Sequence, residues 1–157
     1  MTDKQGFYAE MTQMMTGLIS GEPNLIANLA NVSALLNEHL DDINWVGFYL
    51  LEGDTLVLGP FQGKAACVRI PVGKGVCGTA VSEARTQRVQ DVHAFPGHIA
   101  CDAASNAEIV VPLVVNGAII GVLDIDSPSQ GRFDQGDEDG LNELVAALGA
   151  ALAKDGN

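Results

Sequence analysis

Apolar residues fall at helical spacing in two long stretches of this chain. Leu25, Leu29, Val32, Leu36 and Leu40 line one side of a segment running from about Pro23 to Leu40. Leu141, Leu144, Val145, Leu148 and Leu152 do the same in a segment that opens near Asp134. Side chains three or four positions apart stack on one side of an α-helix, so each stretch predicts a helix with one buried face. Pro23 suits the first turn of the earlier helix, where a missing N–H costs nothing. Asp137 and Glu138 suit the first turn of the later one, at the positive end of its dipole. Gly136 and Gly140 weaken that start. A more weakly patterned helix is predicted from about Lys4 to Ile19.

Between these helices the period changes. Asn44 to Leu51, NWVGFYLL, is aromatic and apolar and predicts a strand. Glu52-Gly53-Asp54 is a turn, and Thr55 to Leu58 the return strand. Ala66 to Ile70 predicts a third strand, ended by Pro71; Val76 to Ala84 a short helix; Thr86 to Val89 a short strand. Asp91 to Ala107 is a long irregular loop, of the kind that often carries function. Ile109 to Val115 and Ala118 to Asp126 are apolar runs joined by Asn116-Gly117. That dipeptide favours a type I′ hairpin, whose two turn residues both need positive φ. Helices flanking an antiparallel sheet make the class α+β rather than a doubly wound parallel sheet. Residues 1–157 are expected to form a single domain, without internal repeat or low-complexity tract.

Charge and composition narrow the function. Twenty acids against 8 Lys and Arg give a net charge of −12, which leaves no basic surface for nucleic acid and repels an anionic membrane. The longest apolar run, Ile109 to Ile125, is interrupted by Asn116-Gly117 and contains Asp124, so no membrane span is expected. MTDKQGFYAEM lacks the apolar core of a signal peptide. A cytoplasmic location follows as an expectation, with reduced thiols. The 3 cysteines are an odd number, which argues against a purely structural disulfide framework.

GKGVCG, Gly73 to Gly78, matches the G-x-G-x-x-G fingerprint of dinucleotide-binding folds. Its setting is wrong, because Pro71-Val72 separates it from the strand and a meander precedes it. A tight turn into a helix is the plainer explanation, and a small anion held on exposed amides a further one.

Cys67 is placed on a predicted strand, Cys77 in the first turn of the short helix and Cys101 in the long loop. Each fits a small buried apolar residue. Cys101 stands apart, in a polar run of small residues that leaves room for a ligand. His98, three residues earlier, is either a solvated loop residue or, if the two share one helical turn, an imidazolium that would stabilise a thiolate, which Asp102 and Glu108 would oppose. No metal is expected: His93, His98, Cys67, Cys77 and Cys101 form no compact ligand cluster.

Asp124 and Asp126 share a face of GVLDIDS by the two-residue period. In apolar surroundings a carboxylate must be paired, hydrogen-bonded or protonated, and a like-charged neighbour raises a pKa. Such a pair suits a proton donor or an ammonium site, unless the strand simply emerges into solvent. A strict two-residue hairpin sets Glu108 opposite Ile125, facing away from Asp124. Pro112 complicates that register, because proline inside a strand marks an edge or a bulge, and a bulge would turn Glu108 round. Trp45 and Tyr49 share a face with Gly47 between them. They either pack as core or wall a small pocket for an ammonium or a methyl sulfide.

NWVGFYLL, LVLGPFQGKAACVRIPVGKGVCGTAV, DVHAFPGHIACDAASNAEIVVPL and GVLDIDS together cover much of the chain. In these stretches it resembles the free methionine-(R)-sulfoxide reductases, which are single GAF domains. The resemblance implies a central antiparallel sheet of about six strands with flanking helices. It implies reduction of free methionine-(R)-sulfoxide to methionine, recycled by thioredoxin, without metal or organic cofactor, in a homodimer. By the same match Cys101 is the attacking cysteine, Cys67 the main resolving cysteine and Cys77 an auxiliary one. Trp45 and Tyr49 become walls for the methyl and sulfur end. Glu108, Asp124 and Asp126 become the acids that hold the substrate and supply a proton. The alternative is a ligand-sensing GAF module without catalysis, which needs no set of thiols and is expected to carry an output domain.

Overall fold

A computed structural model describes residues 3–97 and 105–155. Helices α1 (Asp3–Ile19) and α2 (Leu25–His39) lead into strands β1 (Trp45–Glu52), β2 (Thr55–Gly63) and β3 (Arg69–Pro71). Helix α3 (Gly75–Glu83) and strand β4 (Gln87–Val89) follow, then a 3-10 turn at Val92–Ala94. The chain closes with β5 (Ala107–Val115), β6 (Ala118–Ser127) and α4 (Gln135–Asp155). Among the described residues the six strands form one sheet in the order β3-β2-β1-β6-β5-β4, every neighbouring pair antiparallel. The α+β expectation and the count of about six strands therefore hold.

Alternation along the central strands gives the sheet two buried faces. Val46 and Phe48 of β1, Ile109, Val111 and Leu113 of β5, and Leu123 and Ile125 of β6 pack against α1, α2 and α4. Trp45, Tyr49, Val110 and Val122 point the other way, toward Val76, Cys77 and Ala80 of α3. The first face is a conventional apolar core. The second carries every acid of interest.

Local chemistry explains most boundaries. Asn24 caps α2, its side chain accepting from the Ala27 amide at 2.8 Å, a contact worth about 1 kcal/mol. Pro23 thus lies just outside the helix, not in its first turn. At the start of α4, Asp134 accepts from the Asp137 amide while Asp137 accepts from the Asp134 amide, at 3.1 and 3.0 Å. This reciprocal cap is tied to α1 by Lys4, which meets Asp137 at 2.7 Å and Asp134 at 3.0 Å. Gly140 allows the crossing: a Cβ there would sit 2.6 Å from the Cβ of Tyr8. The residue that weakens the helix locally is the one that lets α1 and α4 meet.

Two strand expectations need correction. β2 does not end at Leu58 but continues through Gly59-Pro60 to Gly63. Gly47 pairs with Phe61 and Tyr49 with Leu58, so Pro60 sits in a bulge, where its missing donor does no harm. Ala66–Val68 is not strand. Only Arg69–Pro71 pairs with β2, and Val68 is largely exposed. Cys67 therefore lies in the loop before β3. Asn116 and Gly117 have φ of +53° and +79°, as the type I′ hairpin requires.

Candidate active site

The β5–β6 register decides where the acids point. Val115 pairs with Ala118 and Val114 with Ile119, as a strict hairpin demands. The register then shifts, and Leu113 pairs with Gly121, leaving Ile120 as the extra residue of a bulge. Beyond it Val110 faces Asp124, Ile109 faces Ile125 and Glu108 faces Asp126. The strict register, with Glu108 opposite Ile125, is thus overturned. Paired residues share a face of a sheet, so Glu108, Asp124 and Asp126 all point to one side.

The β1–β6 pairing extends the same surface. Trp45 lies across from Asp126 and Gly47 from Asp124. A continuous row therefore runs Trp45, Asp126, Glu108 across β1, β6 and β5. The ring of Trp45 stacks on Tyr49 at 5.9 Å between centroids and on Phe61 at 5.1 Å. Phe61 is not among the candidates drawn from the sequence, because it lies beyond Leu58, where the predicted return strand ends. Gly47 makes the stack possible: a Cβ there would lie 2.7 Å from the Phe61 Cα.

Both polar tips of the aromatic wall hold the loop that carries Cys67. Trp45 Nε1 donates to the Lys64 carbonyl at 3.1 Å, and Tyr49 Oη donates to the Cys67 carbonyl at 2.9 Å. Cys67 is disulfide-bonded. Cys77 is a free thiol.

Cys77 enters from α3, directly over the acids. The GKGVCG turn serves this placement. The Gly73 amide donates to the Gly78 carbonyl and the Lys74 amide to the Pro71 carbonyl, so both amides are already used within the turn. Cys77 Sγ stands 3.9 Å from Glu108 Oε2. Cys77, Glu108 and Asp124 are only 3, 8 and 5 % exposed, while Asp126 is half-buried. Asp124 Oδ1 is buried and accepts no hydrogen bond.

Burial dominates the electrostatics. It pushes the Glu108 carboxyl well above the usual carboxylate range, reinforced by the charge of Asp124. It does the same to Asp124, reinforced by Asp126. The Cys77 thiol is pushed up by burial and then by Asp124 and Glu108. Burial and mutual repulsion thus favour the protonated forms of Cys77, Glu108 and Asp124 over what the same groups would show in water. The site suits either proton donation or a cation brought in by a ligand.

Of the residues singled out from the sequence, Trp45, Tyr49, Cys77, Glu108, Asp124 and Asp126 converge here, and Cys67 is joined to them through Tyr49. Cys101, with His98 and Asp102, lies outside the described residues. His93 is engaged elsewhere, its Nε2 3.1 Å from the Asn106 side-chain oxygen. No helix among the described residues is long and apolar enough to cross a membrane.

Residues 28–153 match the GAF domain family model. The chain is 65% identical to the free methionine-R-sulfoxide reductase of Escherichia coli, over 96% of this chain and 92% of that protein. The fRMsr structure from Staphylococcus aureus in complex with substrate is 58% identical and superposes with a TM-score of 0.89, covering 93% of this chain and 95% of that one. The free methionine-R-sulfoxide reductase of Neisseria meningitidis, in complex with its substrate, is 44% identical with a TM-score of 0.92, covering 99% and 93%. The chain therefore belongs to the GAF-domain family and, within it, to the free methionine-(R)-sulfoxide reductases.

Proposed function

We propose that the protein reduces free L-methionine-(R)-S-oxide to L-methionine, as its relatives' names state for them. The observation that carries this assignment is the convergence of buried, raised-pKa carboxyls with a stacked aromatic wall and a thiol on one face of the sheet. The wall accepts the methyl sulfoxide end, and the acids accept an ammonium group and hold a proton for the sulfoxide oxygen.

The chemistry follows from that division. A sulfoxide oxygen departs from sulfur poorly unless protonated, and a carboxylic acid still protonated near neutral pH supplies the proton. Cys101 attacks the sulfoxide sulfur. The S–O bond breaks, the oxygen passes to Cys101 as a sulfenic acid, and methionine leaves with its sulfur reduced. Cys67 then condenses with the sulfenic acid, releasing water and forming a Cys67–Cys101 disulfide. That Cys67 is disulfide-bonded while Cys77 is free supports Cys67 as the main resolving thiol and Cys77 as an auxiliary one. A dithiol protein of the thioredoxin type reopens the disulfide by exchange. A homodimer in the cytoplasm is the accompanying expectation.

Each methionine sulfoxide epimer, supplied with thioredoxin, its reductase and NADPH, tests the assignment. NADPH loss with the free R epimer, and little with the S epimer or a peptide-bound sulfoxide, is the expected result. No turnover of the free R epimer overturns it and favours a non-catalytic ligand-binding role.

A further inference from the structure

The leading electrostatic influences on Cys77 come from Asp124, Glu108 and Asp126, all carboxylates. One ligand atom from each of Cys77, Glu108 and Asp124 lies within 4.8 Å of the others. All three residues are more than nine-tenths buried, and Asp124, one of the three, has its Oδ1 buried with no hydrogen-bond partner. An orphaned buried carboxylate oxygen is costly unless something comes to it.

We infer that Cys77, Glu108 and Asp124 form a site for a borderline-soft divalent cation, Zn2+ foremost. One sulfur and two carboxylate oxygens are a donor set that zinc accepts, whereas magnesium and calcium prefer oxygen alone. Zinc joins sulfur at about 2.3 Å and oxygen at about 2.0–2.2 Å, so it holds neighbouring ligand atoms about 3.5 Å apart. The Cys77–Glu108 separation of 3.9 Å is already close to that. Spacing along the sequence did not reveal the set, since it joins a helix to two strands and counts carboxylates with the thiol. On binding, the thiol proton and any proton held by Glu108 or Asp124 pass to solvent, and one Zn–S and two Zn–O bonds form. The ion is a competitor here, not a cofactor: it takes the place of the substrate's ammonium. This exclusion rests on the substrate assignment above, whereas cation binding itself does not.

Zn2+ titrated calorimetrically into the full-length, metal-free protein tests the site, with Co2+ as an optical probe of sulfur ligation. A single Zn2+ per chain and a thiolate-to-cobalt charge-transfer band are expected. Both persist in the Cys67→Ser/Cys101→Ser variant, whose remaining thiol is Cys77. The band disappears in Cys77→Ser, and Asp124→Asn weakens Zn2+ by about tenfold or more, a cost that even outer partners of a metal carry. Glu108→Gln asks the same question if Asp124→Asn fails to fold. Absence of the band from the parent, its survival in Cys77→Ser, or unchanged Zn2+ affinity in the carboxamide variant overturns the site. Turnover assayed in metal-free buffer separates the two proposals: activity without Zn2+ binding sinks only the metal site.

Discussion

Glu108 stands directly across from Asp126 on β5 and β6, because a bulge at Ile120 shifts the hairpin by one residue. Without that shift Glu108 would pair with Ile125, and the β5 and β6 acids would lie on opposite faces of the sheet. Asp124 is the next acid along the same face, and the crowding has a cost in stability.

Asp124→Asn removes that cost. The folded Asp124 carboxyl binds its proton more tightly than the unfolded chain does, because of burial and then the charge of Asp126. A raised carboxyl pKa contributes full stability below the unfolded value and loses it as pH rises toward the folded value. The parent should therefore weaken from about pH 4 upward on this account, and Asp124→Asn should flatten the decline. At alkaline pH the variant should be more stable by about 1–3 kcal/mol, the usual cost of a buried unsatisfied polar group. Urea unfolding at acidic and alkaline pH checks this; parallel pH profiles for the two proteins would contradict it.

The same raised groups shape the rate. A donor must carry its proton, so kcat/KM for sulfoxide reduction should fall as pH rises through the raised carboxyl pKa. Glu108→Gln and Asp124→Asn should each lower the rate, by about 10²–10⁴-fold for the residue that donates. The donor's variant should also lose the alkaline limb. Rate profiles for both variants assign the role, and an alkaline limb retained in both would remove it from this pair.

Tyr49→Phe keeps the aromatic wall and deletes the hydrogen bond to the Cys67 carbonyl. The lost bond is worth about 1 kcal/mol. Cys67 should then be less well held for its attack on a sulfenic acid, so the sulfenic state should persist longer after substrate is added. Trapping with a dione reagent and mass spectrometry reads that lifetime. An unchanged lifetime would show that the loop holds Cys67 without Tyr49.

Gly47→Ala should destabilise the fold by about 1–3 kcal/mol, because the new methyl meets Phe61 backbone that cannot rotate away. The Trp45–Phe61 stack opens as Phe61 retreats, and KM should rise more than kcat falls. Thermal unfolding and steady-state kinetics together check both effects.

What the sequence revealed follows the strength of its local signals. The stripes of α2 and α4 announce helices, and Asn116-Gly117 announces its hairpin through backbone sterics. The bulge is nearly silent, because Ile120 is one apolar residue among several and only Pro112 nearby hints at irregularity. The return strand misled in the opposite sense: its predicted end falls at Leu58, while the structure carries it through a bulge at Gly59-Pro60 that brings Phe61 onto Trp45. Ala66-Cys67-Val68 mimics a strand by composition, yet Val68 faces solvent. The approach of Cys77 to Glu108 leaves no trace at all, since the two are 31 residues apart on different elements. The acids and aromatics were identifiable as candidates, but their convergence depended on register.

A single turnover tests the central claim most directly. Fully reduced protein, mixed with excess free methionine-(R)-sulfoxide and no reductant, should form methionine and a disulfide that peptide mapping locates between Cys67 and Cys101. Cys101→Ser should form neither. Methionine produced by Cys101→Ser, or its absence with the parent protein, would contradict the account.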